Sequence, residues 1–166
     1  MSDDIVKGAL LSPCGVYRYR LWRRWDKDLM PIAFVMLNPS TADAEEDDAT
    51  IRRCIGFART WSYGGIEVVN LFAYRTTDPR ELRKARKDIV GLYNDASIQT
   101  AVKLSALVVC AWGNNSPTNR GEDVLRLLRD AGVKPLALAV TMRDQPGHPL
   151  RLAKTTLPFL WDKRND

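Results

Sequence analysis

Apolar and polar positions alternate with period two from Val16 to Trp25, in the order Val-Tyr-Arg-Tyr-Arg-Leu-Trp-Arg-Arg-Trp. That period predicts a strand with one buried face, its other face carrying Arg18, Arg20 and Arg23. Ile32 to Leu37 is continuously apolar, as in a central strand covered on both sides, and Asn38-Pro39 ends it because proline cannot donate to a ladder. Asp47 or Asp48 then caps a helix whose apolar stripe is Ile51, Cys54, Ile55 and Ala58, with Gly64-Gly65 as its stop. Ile66 to Phe72 reads as a second buried strand. Asp78-Pro79-Arg80-Glu81 has the cap, first-turn proline and acidic third position of a helix start.

A helix is expected over Asn94 to Leu104, and a third buried strand over Ala106 to Trp112. Another helix spans Gly121 to Asp130, and a fourth strand spans Pro135 to Val140. A short tail holds Phe159 and Trp161, and only the first and last few residues look unstructured. Strands alternating with helices predict an α/β fold: a three-layer α/β/α sandwich. Its expected sheet is central, mostly parallel and four-stranded, with an N-terminal antiparallel strand or hairpin. No repeat, linker or low-complexity segment divides the 166 residues, so 1–166 reads as one domain.

The order of elements has a consequence for chemistry. Each buried strand ends in polar residues: Asn38-Pro39-Ser40-Thr41, then Asn70 with Tyr74-Arg75, then Trp112-Gly113-Asn114, then Thr141 leading to His148. In a parallel sheet these ends share one edge, and ligands bind in the crevice beyond it. The expected pocket offers amides, hydroxyls, one imidazole and one arginine. Amides read the edge of a base, and rings such as Phe72 or Tyr74 stack on a planar group. There is no GxGxxG, no P-loop, no GxSxG and no CxxC. No cofactor and no metal are expected.

Charge and cysteine usage refine this picture. The net charge of +5 permits nucleic-acid binding without demanding it. Cys54 and Cys110 fall in apolar patterns and read as buried thiols in a reducing, cytoplasmic setting. No stretch approaches the ~20 apolar residues that span a bilayer, so no membrane partner is expected. Glu45, Glu46, Asp47 and Asp48 either serve as helix N-terminal charges or take part in chemistry. His148, between Gly147 and Pro149, is a candidate functional group.

These motifs together resemble the DUF1643 family, from about Tyr17 onward. They are Asn38-Pro39-Ser40-Thr41-Ala42-Asp43, Asp47-Asp48-Ala49-Thr50, Asn70-Leu71-Phe72-Ala73-Tyr74-Arg75, Ala111-Trp112-Gly113-Asn114 and His148-Pro149-Leu150. Their order is also similar to the uracil-DNA glycosylase superfamily. In its mismatch-specific branch the first strand ends in Gly-Ile-Asn-Pro-Gly, where Met36-Leu37-Asn38-Pro39-Ser40 stands here. The resemblance implies a uracil-DNA glycosylase-like fold, with Asn38 positioning the attacking water. Trp112-Gly113 matches the end of that superfamily's third strand. His148-Pro149-Leu150 resembles its His-Pro-Ser-Pro segment, whose histidine lies against the extruded nucleotide. This sequence has Ser40 in place of the glycine and lacks the second proline.

Two functions are therefore carried forward. The first is an N-glycosidase acting on a base in DNA or a nucleotide. Asn38 places water, Asp43 or Asp47 is the charge partner, and Phe72 or Tyr74 stacks. Asn70 or Asn114 reads the base edge, His148 acts on the leaving base or a phosphate, and Arg75 with the basic strand holds phosphates. Pro39, Ser40, Thr41, Trp112 and Gly113 complete that pocket. The second is a binding module that recognises a base, nucleotide or nucleic acid without chemistry. A divalent-metal hydrolase built on the acidic run ranks last.

Overall fold

The computed structural model describes residues 4–161. Seven strands form one sheet: β1 Val6–Leu11, β2 Arg18–Arg24, β3 Pro31–Met36, β4 Gly65–Asn70, β5 Val108–Cys110, β6 Leu136–Ala137 and β7 Phe159–Leu160. Their order in space is β1-β2-β4-β3-β5-β6-β7. The helices are α1 Ala49–Thr60, α2 Glu81–Lys84, α3 Asn94–Leu104 and α4 Arg120–Asp130, with a 3-10 turn at Pro149–Arg151. No helix among the described residues is long and apolar enough to cross a membrane.

The four apolar runs make the centre of the sheet. β4, β3, β5 and β6 lie side by side and parallel. The expected count of four strands is too low. The β1–β2 hairpin joins β4 antiparallel at one edge, and β7 joins β6 antiparallel at the other. Half of the pairings are thus antiparallel. β1 escapes sequence reading because Gly8 interrupts its pattern, and its close partner is the Trp22 ring, 2.2 Å from where a Cβ would stand. The expected N-terminal antiparallel strand or hairpin is present as the β1–β2 pair, although pattern alone did not locate β1. The chain ends expected to lack structure include residues 1–3 and 162–166, which lie outside the described residues.

Helices cover both faces. On one, Ile51, Cys54, Phe57 and Ala58 of α1 pack on Phe34, Met36, Ile66, Val68 and Val109. On the other, Ile98 and Val102 of α3 and Val124, Leu125 and Leu128 of α4 pack on Val35, Val69 and Cys110. Cys54 and Cys110 are both fully buried, and burial pushes both thiols up. Asp48 caps α1, its Oδ1 accepting the Ile51 amide at 2.8 Å. Gly64-Gly65 does not stop this helix. It ends at Trp61, and Ser62 turns the chain with φ +64°. Gly64 instead lies against the Asp26 and Leu29 carbonyls, each 2.4 Å from a notional Cβ. Asp78 likewise caps no long helix. It accepts the Arg80 amide at 2.9 Å ahead of a single turn at α2.

The first strand corrects another expectation. Arg18 and Arg23 do not line a solvated face; they are 2% and 0% exposed. Arg23 shares a face with Leu21, and its guanidinium is fully employed. Nε donates to Asp47 Oδ1 at 2.8 Å, and its amino groups donate to the carbonyls of Gly8, Trp22 and Asp43. A buried arginine thereby folds the 43–47 loop against β2. Arg20 forms a two-point pair with buried Glu67, at 2.7 and 3.1 Å, across the β2–β4 junction.

Candidate functional site

β3 connects through α1 to β4 on one side, whereas β4 connects through α3 to β5 on β3's other side. The chain therefore leaves the carboxyl ends of β3 and β5 in opposite directions and opens a crevice between them. A cleft of about 690 Å³ lies there. Asn38 and Ser40 enter it from the end of β3, and Asn70 from the end of β4. Trp112, Gly113 and Asn114 enter from β5, and Thr141 and His148 from the segment after β6. α1 adds Asp48, Thr50 and Ile51.

Asn70 forms the floor. It is the last residue of β4, paired in register with Met36, and is 1% exposed. Neither Nδ2 nor Oδ1 of its side chain has a protein partner among the described residues. Its main chain is held firmly. The Leu71 amide donates to Met36 at 2.8 Å, and Asn94 Nδ2 donates to the Asn70 carbonyl at 3.0 Å. Burying an unpaired polar group costs on the order of 1–3 kcal/mol, and this carboxamide leaves two such atoms facing the cleft.

Asn38 is set differently. Its Nδ2 donates to the carbonyls of Pro39 at 3.0 Å and Thr76 at 2.9 Å. Both amide hydrogens are thus engaged by the main chain, and Oδ1 is the atom presented to the cleft. The Thr76 amide donates back to Pro39 at 3.0 Å, which fixes the turn. Asn114 Oδ1 accepts from Thr141 Oγ1 at 2.7 Å, tying together the loops after β5 and β6.

A cation, a carboxylate and an imidazole converge on the same space. Arg18 Nη1 donates to the Ala42 carbonyl at 2.7 Å, while its buried Nε has no partner. Burial lowers its pKa to about 10, opposed by the Asp48 carboxylate, so it stays cationic at neutral pH. His148 Nδ1 accepts the Leu150 amide at 3.3 Å, which places the neutral ring's proton on Nε2. Desolvation lowers the pKa of this imidazole, and Asp48 again opposes it. Asp48 is therefore the anion common to a buried cation and a titratable ring.

Other expected site residues lie elsewhere. Asp43 Oδ1 accepts the amides of Glu45 and Glu46 at 2.9 and 2.8 Å, which hold its carboxyl below the usual range. Asp47 faces Arg23. Phe72 is 1% exposed in the core beneath α3 and α4, so its ring packs among core side chains and is not open to a ligand. Tyr74 packs edge-on against Tyr17, 6.3 Å between centroids. Arg75 Nη1 donates to the Gly15 carbonyl at 3.3 Å, outside the cleft. Pro39 and Thr41 flank the cleft lining without joining it. Trp112 does line the cleft, though it is 2% exposed and its indole Nε1 donates to Gln145 Oε1 at 3.0 Å.

Asp48 entered the sequence reading only as a helix cap and one of four acids, and Arg18 only as part of a basic strand; the cleft singles both out, and adds Thr50, Thr76, Thr77, Pro79 and Arg151. Arg18 carried no local signal, since its place in the cleft depends on β2 docking beside β4. Among the described residues no cluster of three or more histidine, cysteine or acidic side chains is placed to hold a metal ion. The four acids of the 45–48 run have separate positions: Glu45 and Glu46 are exposed, Asp47 pairs with Arg23 and Asp48 caps α1.

No curated protein and no solved structure matches the chain. One family profile does, described as "Protein of unknown function (DUF1643)", over residues 18–150. That span runs from Arg18 at one wall of the cleft to Leu150 at another and takes in Asn38, Asp48, Asn70, Asn114 and His148 between them. The chain belongs to the DUF1643 family.

Proposed function

We propose that the cleft takes up a nucleobase, carried on DNA or a nucleotide, and hydrolyses the bond joining it to the sugar. Asn70 carries the reading. A carboxamide sets an N–H donor beside a carbonyl acceptor, the complement of the donor–acceptor edge of a base. Here both atoms are buried, unpartnered and held at the end of a central strand. A ligand edge supplies the missing hydrogen bonds.

Asn38 supports the hydrolytic step. Its Oδ1 is an acceptor beside the cleft, oriented because both amide hydrogens are engaged. Such an oxygen aligns a water toward the sugar carbon. That water's oxygen bonds the carbon as the carbon–nitrogen bond breaks, the electron pair leaving with the base. The base leaves as an anion, to which the neutral His148 donates a hydrogen bond from Nε2–H while keeping its proton. The water's proton passes to solvent, and solvent protonates the released base. Asp48 takes the place expected of Asp43 or Asp47, as the negative charge facing an oxocarbenium-like transition state. Met36, Leu37, Pro79 and Leu150 supply apolar walls in place of Phe72 and Tyr74. The uracil-DNA glycosylase-like order of Asn38-Pro39, Trp112-Gly113 and His148-Pro149 points the same way.

A second reading has its own observation. Asp48 already serves as the α1 cap, so every carboxylate near the cleft has a structural duty. That arrangement favours recognition without chemistry. The test is base release from DNA oligomers and nucleosides carrying uracil, hypoxanthine, mismatched thymine or oxidised bases. Wild type is compared with Asn38→Ala and Asn70→Ala. Hydrolysis requires release by wild type, loss of release but retained binding in Asn38→Ala, and loss of both in Asn70→Ala. Binding without release in wild type selects the recognition module. Neither binding nor release rejects both readings.

A further inference from the structure

A second concavity of about 440 Å³ lies on the outer side of α1, against the 3-10 turn and the segment after it. Its charge is one-sided. Arg52, Arg53 and Lys154 line it and no carboxylate does. Arg53 is half-buried, its guanidinium 5.2 Å from the Phe57 ring centroid, and its Nε is buried without a partner. The Arg52 guanidinium donates to the main-chain carbonyl of Asp47 at 2.6 Å. The floor is Gly56, mid-helix, where an added Cβ meets nothing within 4 Å. Glycine there weakens the helix, yet it leaves the backbone open to a ligand.

The groove adjoins the cleft. Leu150 lines both, with Ala49 on the groove side and Thr50 on the cleft side of the α1 start. Arg53 and Lys154 thus stand one wall away from the space assigned to the base. We infer that this groove holds a backbone phosphate of a polynucleotide whose neighbouring base occupies the cleft, so that the substrate is a strand rather than a free nucleotide. The inference rests on the nucleobase reading of the cleft. The groove itself requires only a phosphodiester, whose oxygens match guanidinium donors in pairs.

The experiment measures affinity against salt for a short single-stranded oligonucleotide, the matching mononucleotide and an oligonucleotide with an abasic site. Wild type is compared with Arg53→Gln/Lys154→Gln and, separately, Gly56→Leu. The second variant leaves every charge in place and fills the groove from a helical position with open space above it. In wild type, the logarithm of oligonucleotide affinity falls with the logarithm of salt by about 0.7 per phosphate engaged. The double variant should lower that slope by about 0.7, the share of one phosphate, and weaken oligonucleotide binding at least tenfold. Gly56→Leu should weaken it comparably. Mononucleotide binding should stay within twofold in both. Unchanged oligonucleotide affinity and slope in both variants overturns the groove assignment. An abasic strand that binds as tightly as the intact one, with the same groove dependence, leaves the groove standing and rejects the base reading of the cleft.

Discussion

Asn94, the first residue of α3, donates its side-chain amide to the main-chain carbonyls of both Asn70 and Leu71 at 3.0 Å. It is itself fully buried. A helix on one face of the sheet therefore holds the strand end whose side chain opens into the cleft on the other face. Asn94→Leu removes the side-chain donor to the Asn70 carbonyl, while the Leu71 carbonyl keeps Arg120 Nε at 3.0 Å, and should cost about 1–2 kcal/mol in urea unfolding. Ligand affinity should fall with it. An unfolding midpoint within error of wild type would show that the pair is dispensable.

The unpartnered Asn70 carboxamide implies an inverse relation between stability and binding. Asn70→Leu removes two unsatisfied atoms at similar volume, so the free protein should gain about 1 kcal/mol. For a chain of this size that is about 2–4 °C in Tm. The same variant should lose the cleft ligand. A destabilised variant would mean that Asn70 has a structural role in the free protein.

Arg23 and Asp47 test the origin of the loop that borders the cleft. Arg23→Met removes the guanidinium that binds Asp47 and the Gly8, Trp22 and Asp43 carbonyls. It should cost about 3 kcal/mol by denaturant titration. Asp47→Asn keeps an acceptor oxygen for Nε and should cost nearer 1 kcal/mol. Equal losses would show that the ion pair alone, and not the carbonyl contacts, holds the loop.

His148 links the cleft to pH. Its folded pKa lies below the ordinary 6.5, so the unfolded chain takes up the proton first. Its contribution is intact above about pH 6.5 and is lost as pH falls through that value toward the lower folded pKa. His148→Gln, which does not titrate, should therefore lose less stability than wild type between pH 7 and pH 5. Base release, if His148 Nε2–H serves the leaving base, should also lose its histidine-dependent limb in this variant. Parallel Tm curves for the two proteins would exclude a perturbed His148.

Much of the architecture was legible because it depends on local periodicity. The continuous apolar runs before Asn38 and around Val68 and Val109 demand burial on both faces, and the Ile51-Cys54-Ala58 spacing demands one. These constraints lie within ten or so neighbouring residues. The polar residues at the strand ends follow from the same reading, since a parallel sheet brings its carboxyl ends to one edge. Asn38, Asn70, Asn114 and His148 reach the cleft by that rule alone.

What the tertiary structure decided is every feature that depends on which strand sits beside which. Arg18 and Arg23 look like solvent residues on an alternating strand. They are buried because β2 docks against β4 and the 43–47 loop folds over it, and backbone carbonyls there replace water as their acceptors. Asp43, Asp47 and Asp48 are indistinguishable as a run of acids. Their roles separate only when Arg23 claims Asp47, local amides claim Asp43 and the α1 terminus turns Asp48 toward the cleft. Phe72 ends an apolar run two residues beyond Asn70, but the two side chains serve different surroundings. Asn70 belongs to the last ladder pair and faces the cleft, whereas Phe72 lies beyond the ladder and packs under α3 and α4. Periodicity determines which positions are apolar; the docking of distant segments determines which polar groups are buried without a partner, as it does for Arg18 and Asn70 at the cleft.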